Sequence, residues 1–141
     1  MNDSSPFVPP DYDPNDHEAF MNPMMREFFR QRLLEWKGDI VKDSNSTLNH
    51  LQEENKAEPD LADRASRETD RAIELRTRDR ERKLLSKIDA ALKRIEEGTY
   101  GYCAETDERI SIKRLKARPI ATLSLEAQEM HERKERTHRD E

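Results

Sequence analysis

Two long stretches of the chain repeat hydrophobic residues at the three- and four-residue spacing of one α-helix face. The first stretch begins near Asn22, with Pro23 at the first helical position, where a missing N–H costs nothing, and it continues to about 54–57. Its stripe consists of Phe28/Phe29, Leu33/Leu34, Trp36, Ile40/Val41, Thr47/Leu48 and Leu51. The stripe predicts a long first helix whose packing weakens at Ser44, where an apolar residue is due.

The second stretch predicts a helix over Leu61–Glu97, closed by Gly98 as a C-terminal stop. Its hydrophobic ladder alternates steps of four and three residues, which is coiled-coil periodicity. The ladder comprises Ile73, Thr77, Arg80, Leu84, Ile88, Ala91 and Ile95. Two long helices joined by a short turn favour an antiparallel hairpin over 23–97, with its tip near 58–65.

The two ends of the chain differ from the predicted hairpin in composition and hydrophobic pattern. Four prolines within residues 1–22 exclude a helix or a central strand, so this segment is expected to be an extended, mobile arm. Residues 98–141 predict a small globular segment with a pair of short strands around a turn. Ser111 can cap a short helix over Ile112–Ala117, and Thr122 or Ser124 should begin a C-terminal helix. Leu125 and Met130 of that last helix are expected to pack on the globular base.

The fold class is therefore predicted as mainly α: a long antiparallel coiled-coil hairpin on a small globular base, with a zinc-finger-like knuckle and a C-terminal helix. The composition agrees, because 40% of the residues are charged and only 3 of 141 are Gly. The apolar runs are too short for a membrane span, and no signal peptide heads the chain. We expect a cytoplasmic, monomeric protein.

The charge is unevenly distributed along the sequence. The first 70 residues carry 8 basic and 16 acidic side chains, residues 71–98 carry 9 and 6, and residues 99–141 carry 9 of each. No segment is basic enough to act as a general phosphate-binding surface. Direct sequence-specific DNA binding is therefore not expected.

Four positions near the C-terminus have the spacing of a four-cysteine zinc site. They are Cys103, Thr106, Ser124 and Ala127. Only one of them offers a thiolate, and Zn²⁺ in structural sites needs four ligands, so a knuckle that lacks zinc is the favoured interpretation. A redox role for the lone Cys103 stays open as the alternative.

Two carboxylates, Asp60 and Asp63, lie three residues apart at the predicted tip, where both can face one side of a helix. Helix capping and compensation of the helix dipole explain them simply. On a thin hairpin they are also suited to reach into a channel and meet Mg²⁺ or a basic loop. Enzyme signatures such as a Gly-rich phosphate loop or HExxH are absent, so we expect no catalysis by this chain alone.

Four segments together resemble the DksA/TraR family, over about Met24 to His131. They are Pro59–Ala65 (PDLADRA), Glu74–Leu84 (ELRTRDRERKL), Gly98–Cys103 (GTYGYC) and Lys113–Pro119 (KRLKARP). The resemblance implies a bacterial transcription factor that binds RNA polymerase rather than DNA. It also implies that the coiled coil enters the polymerase secondary channel. With the alarmone ppGpp, such a factor represses ribosomal RNA promoters and activates some biosynthetic ones in the stringent response.

The resemblance also assigns roles to single residues. Asp60, Asp63 and Ala65 match tip positions that act near the polymerase active centre, and Thr77 and Arg80 match positions that face the channel rim. Leu84, Lys87 and Arg118 match positions of a ppGpp site shared with the polymerase. Two departures are Thr77, where relatives usually carry Asn, and Gln128, where zinc-bearing relatives carry Lys. The chain is similar to the low-cysteine members of the family, which fold without zinc.

Two other functions fit the same pattern. A Gre-type transcript-cleavage factor has a similar shape and an acidic tip, although its coiled coil precedes a β-rich domain. A plain antiparallel coiled-coil scaffold for another protein is the third interpretation, and it predicts that tip substitutions have no effect on transcription.

Overall fold

The computed structural model describes residues 6–54 and 61–139, and it is mainly helical, as predicted. Its helices are α1 (Pro23–Glu54), α2 (Leu61–Glu97), α3 (Ile112–Ala117) and α4 (Leu125–Arg139). The chain divides into two compact units. Unit 1 comprises Met1–Leu33 and Ala90–Glu141, and unit 2 comprises Leu34–Asp89. None of the described helices has an apolar stretch long enough to cross a membrane.

The ends of α1 and α2 follow from local chemistry. The side-chain oxygen of Asn22 accepts a hydrogen bond from the Met25 N–H at 3.0 Å, which caps the start of α1. Gly98 closes α2 with a φ of 81°, a left-handed conformation that glycine adopts at low cost. The Thr99 N–H then donates to the Arg94 carbonyl at 2.9 Å. The predicted start of α1 and stop of α2 are both confirmed.

Two side-chain contacts show that the helical segments of unit 2 run antiparallel. Lys37 Nζ lies 2.7 Å from Asp89 Oδ1, and the hydroxyl of Ser44 donates to the Glu81 carboxylate further along the pair. Ser44 comes after Lys37 in the sequence, whereas its partner Glu81 comes before Asp89. The two helical segments therefore run in opposite directions. Ser44 interrupts the apolar stripe, and Glu81 gives its hydroxyl a hydrogen-bond partner.

The predicted ladder of α2 is only partly buried. Within unit 2, Ile88 is buried together with Ile40 of α1, whereas Ile73 is 53% exposed. Arg80 is also exposed, and Thr77 and Leu84 are half-buried. Heptad spacing places these residues on one face, but burial also requires apolar side chains on the facing helix. Leu48 and Leu51 of the predicted α1 stripe lie outside the residues whose side chains are described.

Unit 1 contains the larger hydrophobic core. Its fully or nearly buried apolar residues are Met25, Phe29, Leu33, Ala91, Ile95, Tyr100, Cys103, Ile110, Ile112, Leu115, Ile120, Ala121 and Ala127. Tyr100 lies within this core, its ring 5.5 Å from that of Phe29, and its hydroxyl donates to the Pro119 carbonyl at 2.8 Å. This bond satisfies a buried polar group and ties the end of α2 to the loop after α3.

The knuckle of unit 1 contains no regular strand in the described residues, in contrast to the predicted pair. Only an isolated antiparallel bridge joins Tyr102 to Arg109. The Cys103 N–H donates to the Glu108 carbonyl at 2.7 Å, and the Asp107 N–H donates back to the Cys103 carbonyl at 2.9 Å. These bonds close a tight turn beside the bridge, and the Ile110 N–H donates to the Gly101 carbonyl at 2.7 Å on its other side.

The N-terminal arm differs from the extended form expected for it. Residues 6–22 contain turns, and Pro14 is fully buried. The Tyr12 hydroxyl donates to Glu18 at 2.7 Å, and the hydrogen bond from Tyr12 holds the pKa of the Glu18 carboxyl below its usual value. Lys116 of α3 adds an ion pair with Asp13 at 2.8 Å. The arm is therefore held by an internal hydrogen bond, and it packs on the rest of unit 1 through buried Pro14 and the ion pair of Asp13 with Lys116.

Phe20, at the end of the arm, packs closely against the knuckle. A Cβ built on Gly101 would lie 2.9 Å from the Phe20 ring, and Gly101 has a φ of 91°. Only glycine meets both demands without strain. The Phe20 ring also lies edge-on to Tyr102, at 5.4 Å between centroids.

Hydroxyl groups cap the two C-terminal helices, as the sequence predicts. Ser111 accepts from the Arg114 N–H, and Ser124 accepts from the Ala127 N–H, each at 3.2 Å. The expected packing of Leu125 and Met130 is wrong, because these side chains are 54% and 53% exposed. Ala127 is the buried apolar residue of α4, since its small side chain fits where the helix approaches the core.

Candidate functional site

The predicted tip is only partly within the described structure. Asp60 lies outside the described residues. Asp63 belongs to the first turn of α2, but its side chain is also outside the described part. Ala65 follows on the same helix and is exposed. The tip assignments therefore stay predictions.

Four of the predicted site residues share one face of α2. Thr77, Arg80, Leu84 and Lys87 are spaced by three, four and three residues, so they are neighbours along the helix surface. The Thr77 hydroxyl donates to the Ile73 carbonyl at 3.1 Å, within its own helix. Arg80 and Lys87 are exposed. This face therefore presents two cations beside a half-buried leucine.

Some basic side chains of α2 are held in ion pairs within the helix, and others are not. Asp79 accepts ion pairs from Arg82 at 3.2 Å and from Lys83 at 3.1 Å. Arg80 and Lys87 have no such partner within the described part of the chain. Arg76 and Arg78 also have no ion pair in that part, so the lack of a partner at Arg80 and Lys87 is compatible with the polymerase or ppGpp contacts that the resemblance assigns to them but is not unique to them.

The remaining predicted residues belong to unit 1. Arg118 is exposed immediately after α3, and its backbone N–H donates to the Arg114 carbonyl at 2.7 Å. The Gln128 side-chain amide donates to Glu132 at 3.3 Å on α4. Leu84 and Lys87 belong to unit 2, whereas Arg118 belongs to unit 1.

The degenerate zinc positions surround a buried thiol. Cys103 is 1% exposed. Burial raises the pKa of Cys103, but hydrogen bonds from the Thr106 hydroxyl and from three backbone N–H groups outweigh burial and lower the pKa to about 6. The backbone donors belong to Ser124, Glu105 and Thr106. The knuckle therefore stabilises a thiolate with hydrogen-bond donors.

These residues do not fit a zinc ion. Thr106 directs its hydroxyl at the Cys103 sulfur, Ser124 uses its hydroxyl to cap α4, and Ala127 has no donor atom. A structural Zn²⁺ site needs four N, S or O ligands. Within residues 6–54 and 61–139, no group of three or more His, Cys, Asp or Glu side chains is placed to hold a metal.

The donor role of Thr106 was not predicted from the sequence. From its spacing, Thr106 was predicted only as a lost zinc ligand and not as a hydrogen-bond donor to the Cys103 sulfur. A Cys-x-x-Thr segment in a turn carries that signal, because the turn brings the two side chains together and leaves N–H groups unpaired. A second feature that was missed is the contact of the arm with the knuckle through Phe20.

Comparison with known proteins identifies the family. The family model described as "DnaK suppressor protein DksA, N-terminal domain" matches residues 25–95. The model described as "Prokaryotic dksA/traR C4-type zinc finger" matches residues 98–133. The chain belongs to the DksA/TraR family. The resemblance seen in the sequence is thereby confirmed.

Individual DksA relatives match over most of their length. The RNA polymerase-binding transcription factor DksA of Caulobacter vibrioides is 61% identical over 131 residues, which is 93% of this chain and 92% of that protein. The corresponding Escherichia coli K12 protein is 38% identical over 125 residues, 89% of this chain and 83% of that protein. The solved structure of transcription factor DksA2 from Pseudomonas aeruginosa superimposes with a TM-score of 0.80 at 41% identity, covering 84% of this chain and 91% of that one.

Proposed function

We propose that this protein is a transcription factor that binds RNA polymerase. The observation that carries the proposal is the similarity to a Caulobacter protein named for that activity. The two chains are 61% identical over an alignment that covers 92% of the Caulobacter protein. Two consecutive DksA/TraR family models add support, because together they match residues 25–95 and 98–133. The transcription-factor function of the family also supports a chain that has no catalytic activity of its own.

The proposed mode of binding is insertion of the α1–α2 hairpin into the secondary channel of the polymerase. Asp60, Asp63 and Ala65 would then act near the active centre. The antiparallel pairing of Lys37 with Asp89 and of Ser44 with Glu81 supports this mode, since it keeps the two helices together along unit 2. Two helices that are already paired lose less conformational entropy on entering a channel than two separate, flexible segments would.

The rim contacts and the ppGpp response are proposed for the cationic face of α2. Thr77 and Arg80 would contact the rim, and Leu84, Lys87 and Arg118 would contribute to a ppGpp site at the interface. Exposed, unpaired Arg80 and Lys87 support this assignment, because a cation already held in an ion pair gains less from a new anion. We further propose that the protein acts as a cytoplasmic monomer and binds no specific DNA sequence.

The test is transcription from a ribosomal RNA promoter by purified polymerase, with and without this protein and ppGpp. We expect the protein to lower the yield of transcript, and ppGpp to deepen the repression. A cleavage assay on backtracked complexes in the same preparation distinguishes the Gre-type alternative. No effect on the promoter together with cleavage of backtracked RNA would overturn the proposal.

The tip assignment predicts that Asp63→Asn separates binding from regulation. The substitution removes one negative charge and almost no volume, so binding through the rest of the hairpin should persist. We expect the affinity for polymerase to stay within about twofold, which is under about 0.5 kcal/mol, while repression of the ribosomal promoter is lost. Asp70→Asn, an exposed carboxylate further along α2, is the matched control. Equal loss of binding and repression in Asp63→Asn would instead indicate a structural role.

A further inference from the structure

The knuckle of unit 1 lacks the ligands of the metal that its family model implies. The model that matches residues 98–133 is that of a C4-type zinc finger, but three of the four ligand positions do not fit the ion. In a structural zinc site, metal binding supplies much of the free energy of folding. The isolated bridge between Tyr102 and Arg109 is too short to supply it, since even a complete two-stranded hairpin is only marginally stable alone. Other contacts must therefore hold the knuckle.

Phe20 of the N-terminal arm contacts both residues of this bridge. Its ring lies edge-on to Tyr102, at 5.4 Å between centroids. The Arg109 guanidinium lies 5.0 Å from the centroid of the same ring. The ring also covers Gly101, the residue before the bridge, where a Cβ would approach it to 2.9 Å. One side chain of the arm therefore packs against both sides of the bridge.

The hydrogen bonds of the bridge lie directly beside this contact. The Cys103 N–H donates to the Glu108 carbonyl and the Ile110 N–H donates to the Gly101 carbonyl, each at 2.7 Å. Both donors lose their acceptors if the two sides of the bridge separate. The amides of Cys103 and Ile110 therefore report whether the bridge is closed.

The backbone before α1 fixes the position of the Phe20 ring. Met21, the next residue, has a φ of 51°, a left-handed conformation that costs free energy in a residue with a side chain. Such a conformation persists where the surrounding contacts compensate for it. The Asn22 N–H donates to the Ala19 carbonyl at 3.2 Å, and the Asn22 side chain also caps α1. The ring is therefore held at a set place relative to the start of α1.

The arm is attached to unit 1 at further points. Asp13 pairs with Lys116 of α3 at 2.8 Å, and the Tyr12 ring lies edge-on to Phe28 of α1 at 5.7 Å. Phe7, nearer the start of the arm, is 77% exposed. The arm therefore carries one phenylalanine that packs on the knuckle and one that is largely exposed to solvent.

We propose that the arm does for this knuckle what zinc does in the C4 type, because it holds the bridge closed through Phe20. A zinc ion ties together segments that are too short to form a core of their own. Phe20 ties the two sides of the bridge to each other and to the start of α1, so packing takes the place of metal–ligand bonds. The inference concerns the folding of unit 1 and does not rest on the proposed function.

The experiment measures hydrogen exchange of single amides in the full-length protein by NMR. In Phe20→Ala we expect exchange at Cys103 and Ile110 to become about tenfold faster, because one aromatic and one cation–π contact are lost. Phe7→Ala is the matched control, since it makes the same substitution on the same arm at an exposed side chain. Its exchange rates should stay within about twofold of the parent. Unchanged exchange at both amides in Phe20→Ala would overturn the inference.

A further amide distinguishes a local contact from general stabilisation. Exchange at Ile95, which is buried in α2 of the same unit, should stay within about twofold in Phe20→Ala. Equal acceleration at Ile95 and at the bridge would overturn the inference, since Phe20 would then stabilise unit 1 as a whole. Phe20→Leu keeps an apolar side chain and should give an intermediate acceleration at the bridge. It provides the same comparison if the alanine variant does not fold.

Zinc itself gives the decisive comparison. Thr106→Cys, Ser124→Cys and Ala127→Cys together restore four thiols at zinc-site spacing. In this background with added zinc, Phe20→Ala should change exchange at the two bridge amides by less than about twofold, because the metal then holds the knuckle. With a chelator in place of zinc, the acceleration of about tenfold should return.

The zinc comparison can also contradict the inference. If added zinc does not restore the protection that Phe20→Ala removes, the arm and the metal do not have the same role, and the inference is overturned. Either result leaves the proposed binding to RNA polymerase untouched, because the measurement is made on the free protein.

Discussion

At the residue scale, Cys103 occupies a zinc-ligand position, but hydrogen-bond donors surround its sulfur in place of a metal ion. The thiol keeps the position of a zinc ligand, but Thr106 and the surrounding backbone N–H groups now face its sulfur. In a zinc knuckle the metal would neutralise the thiolate, and here hydrogen bonds stabilise it. Burial within the core of unit 1 keeps this sulfur away from solvent. The knuckle therefore stabilises an anion without a metal.

This environment predicts a pH dependence of stability. The pKa of Cys103 is about 6 in the folded protein, against an ordinary value of 9.0, so the folded state favours the thiolate. The stabilisation is fully present above the ordinary value and is lost as the pH falls through the folded value. We expect the unfolding temperature of the parent protein, relative to Cys103→Ser, to rise between pH 6 and pH 9.

Ultraviolet absorbance of the thiolate checks the same point directly. Half of the signal should appear near pH 6 in the parent protein. Thr106→Val removes one donor and should move the midpoint upward, whereas Thr122→Val, at an exposed threonine nearby, should not. A midpoint near the ordinary value of 9.0 in the parent protein would contradict the proposed stabilisation of the thiolate.

At the scale of the element, α2 is one continuous helix with two different environments. Ile88 and Ile73 belong to the same hydrophobic ladder, yet Ile88 is fully buried and Ile73 is 53% exposed. Helical periodicity places both on one face, and the facing segment of α1 determines which of them loses contact with water. The polar contact of Ser44 with Glu81 lies between these two levels of the hairpin.

Substitution of these two isoleucines should reveal the difference. Ile88→Ala creates a cavity in a packed site and should lower the free energy of unfolding by about 2–5 kcal/mol. Ile73→Ala should change it by about 0.5 kcal/mol or less, because an exposed side chain leaves no cavity. Urea denaturation followed by circular dichroism measures both. Equal losses would show that the hairpin is packed to the same degree at both positions.

At the scale of the whole molecule, stability should not depend on zinc. Of the four positions that match a four-thiolate site, only Cys103 offers a thiolate. The Thr106 hydroxyl donates to that sulfur, the Ser124 hydroxyl caps α4, and Ala127 has only a methyl group. A strong chelator should therefore leave the unfolding temperature and the polymerase affinity unchanged. A fall in either quantity on chelation would show that this knuckle holds a metal.

A matched variant makes the chelator experiment informative. Thr106→Cys, Ser124→Cys and Ala127→Cys together restore four thiols at zinc-site spacing, and folding would then be coupled to metal binding. This triple variant should unfold at a lower temperature in the presence of the chelator than with added zinc. The parent protein should show no difference between the two conditions.

Local chemistry made much of this protein predictable from the sequence. Asn22 with Pro23, Gly98, Ser111 and Ser124 identified helix ends, because capping depends on residues within a few positions of each other. The family was also recognisable, since four short segments carry it together. The mainly helical fold followed from periodicity, which is a property of the sequence itself.

Contacts between distant segments were decided only by the tertiary structure. The packing of the arm through Pro14 and Phe20, the exposure of Leu125 and the donors around Cys103 each depend on residues far apart in the sequence. The sequence by itself determined which segments are helical and where they end, because those choices depend on neighbouring residues. The tertiary structure alone decided which apolar side chains are buried and which pKa values shift, because burial and hydrogen bonding depend on what the rest of the chain places beside each group.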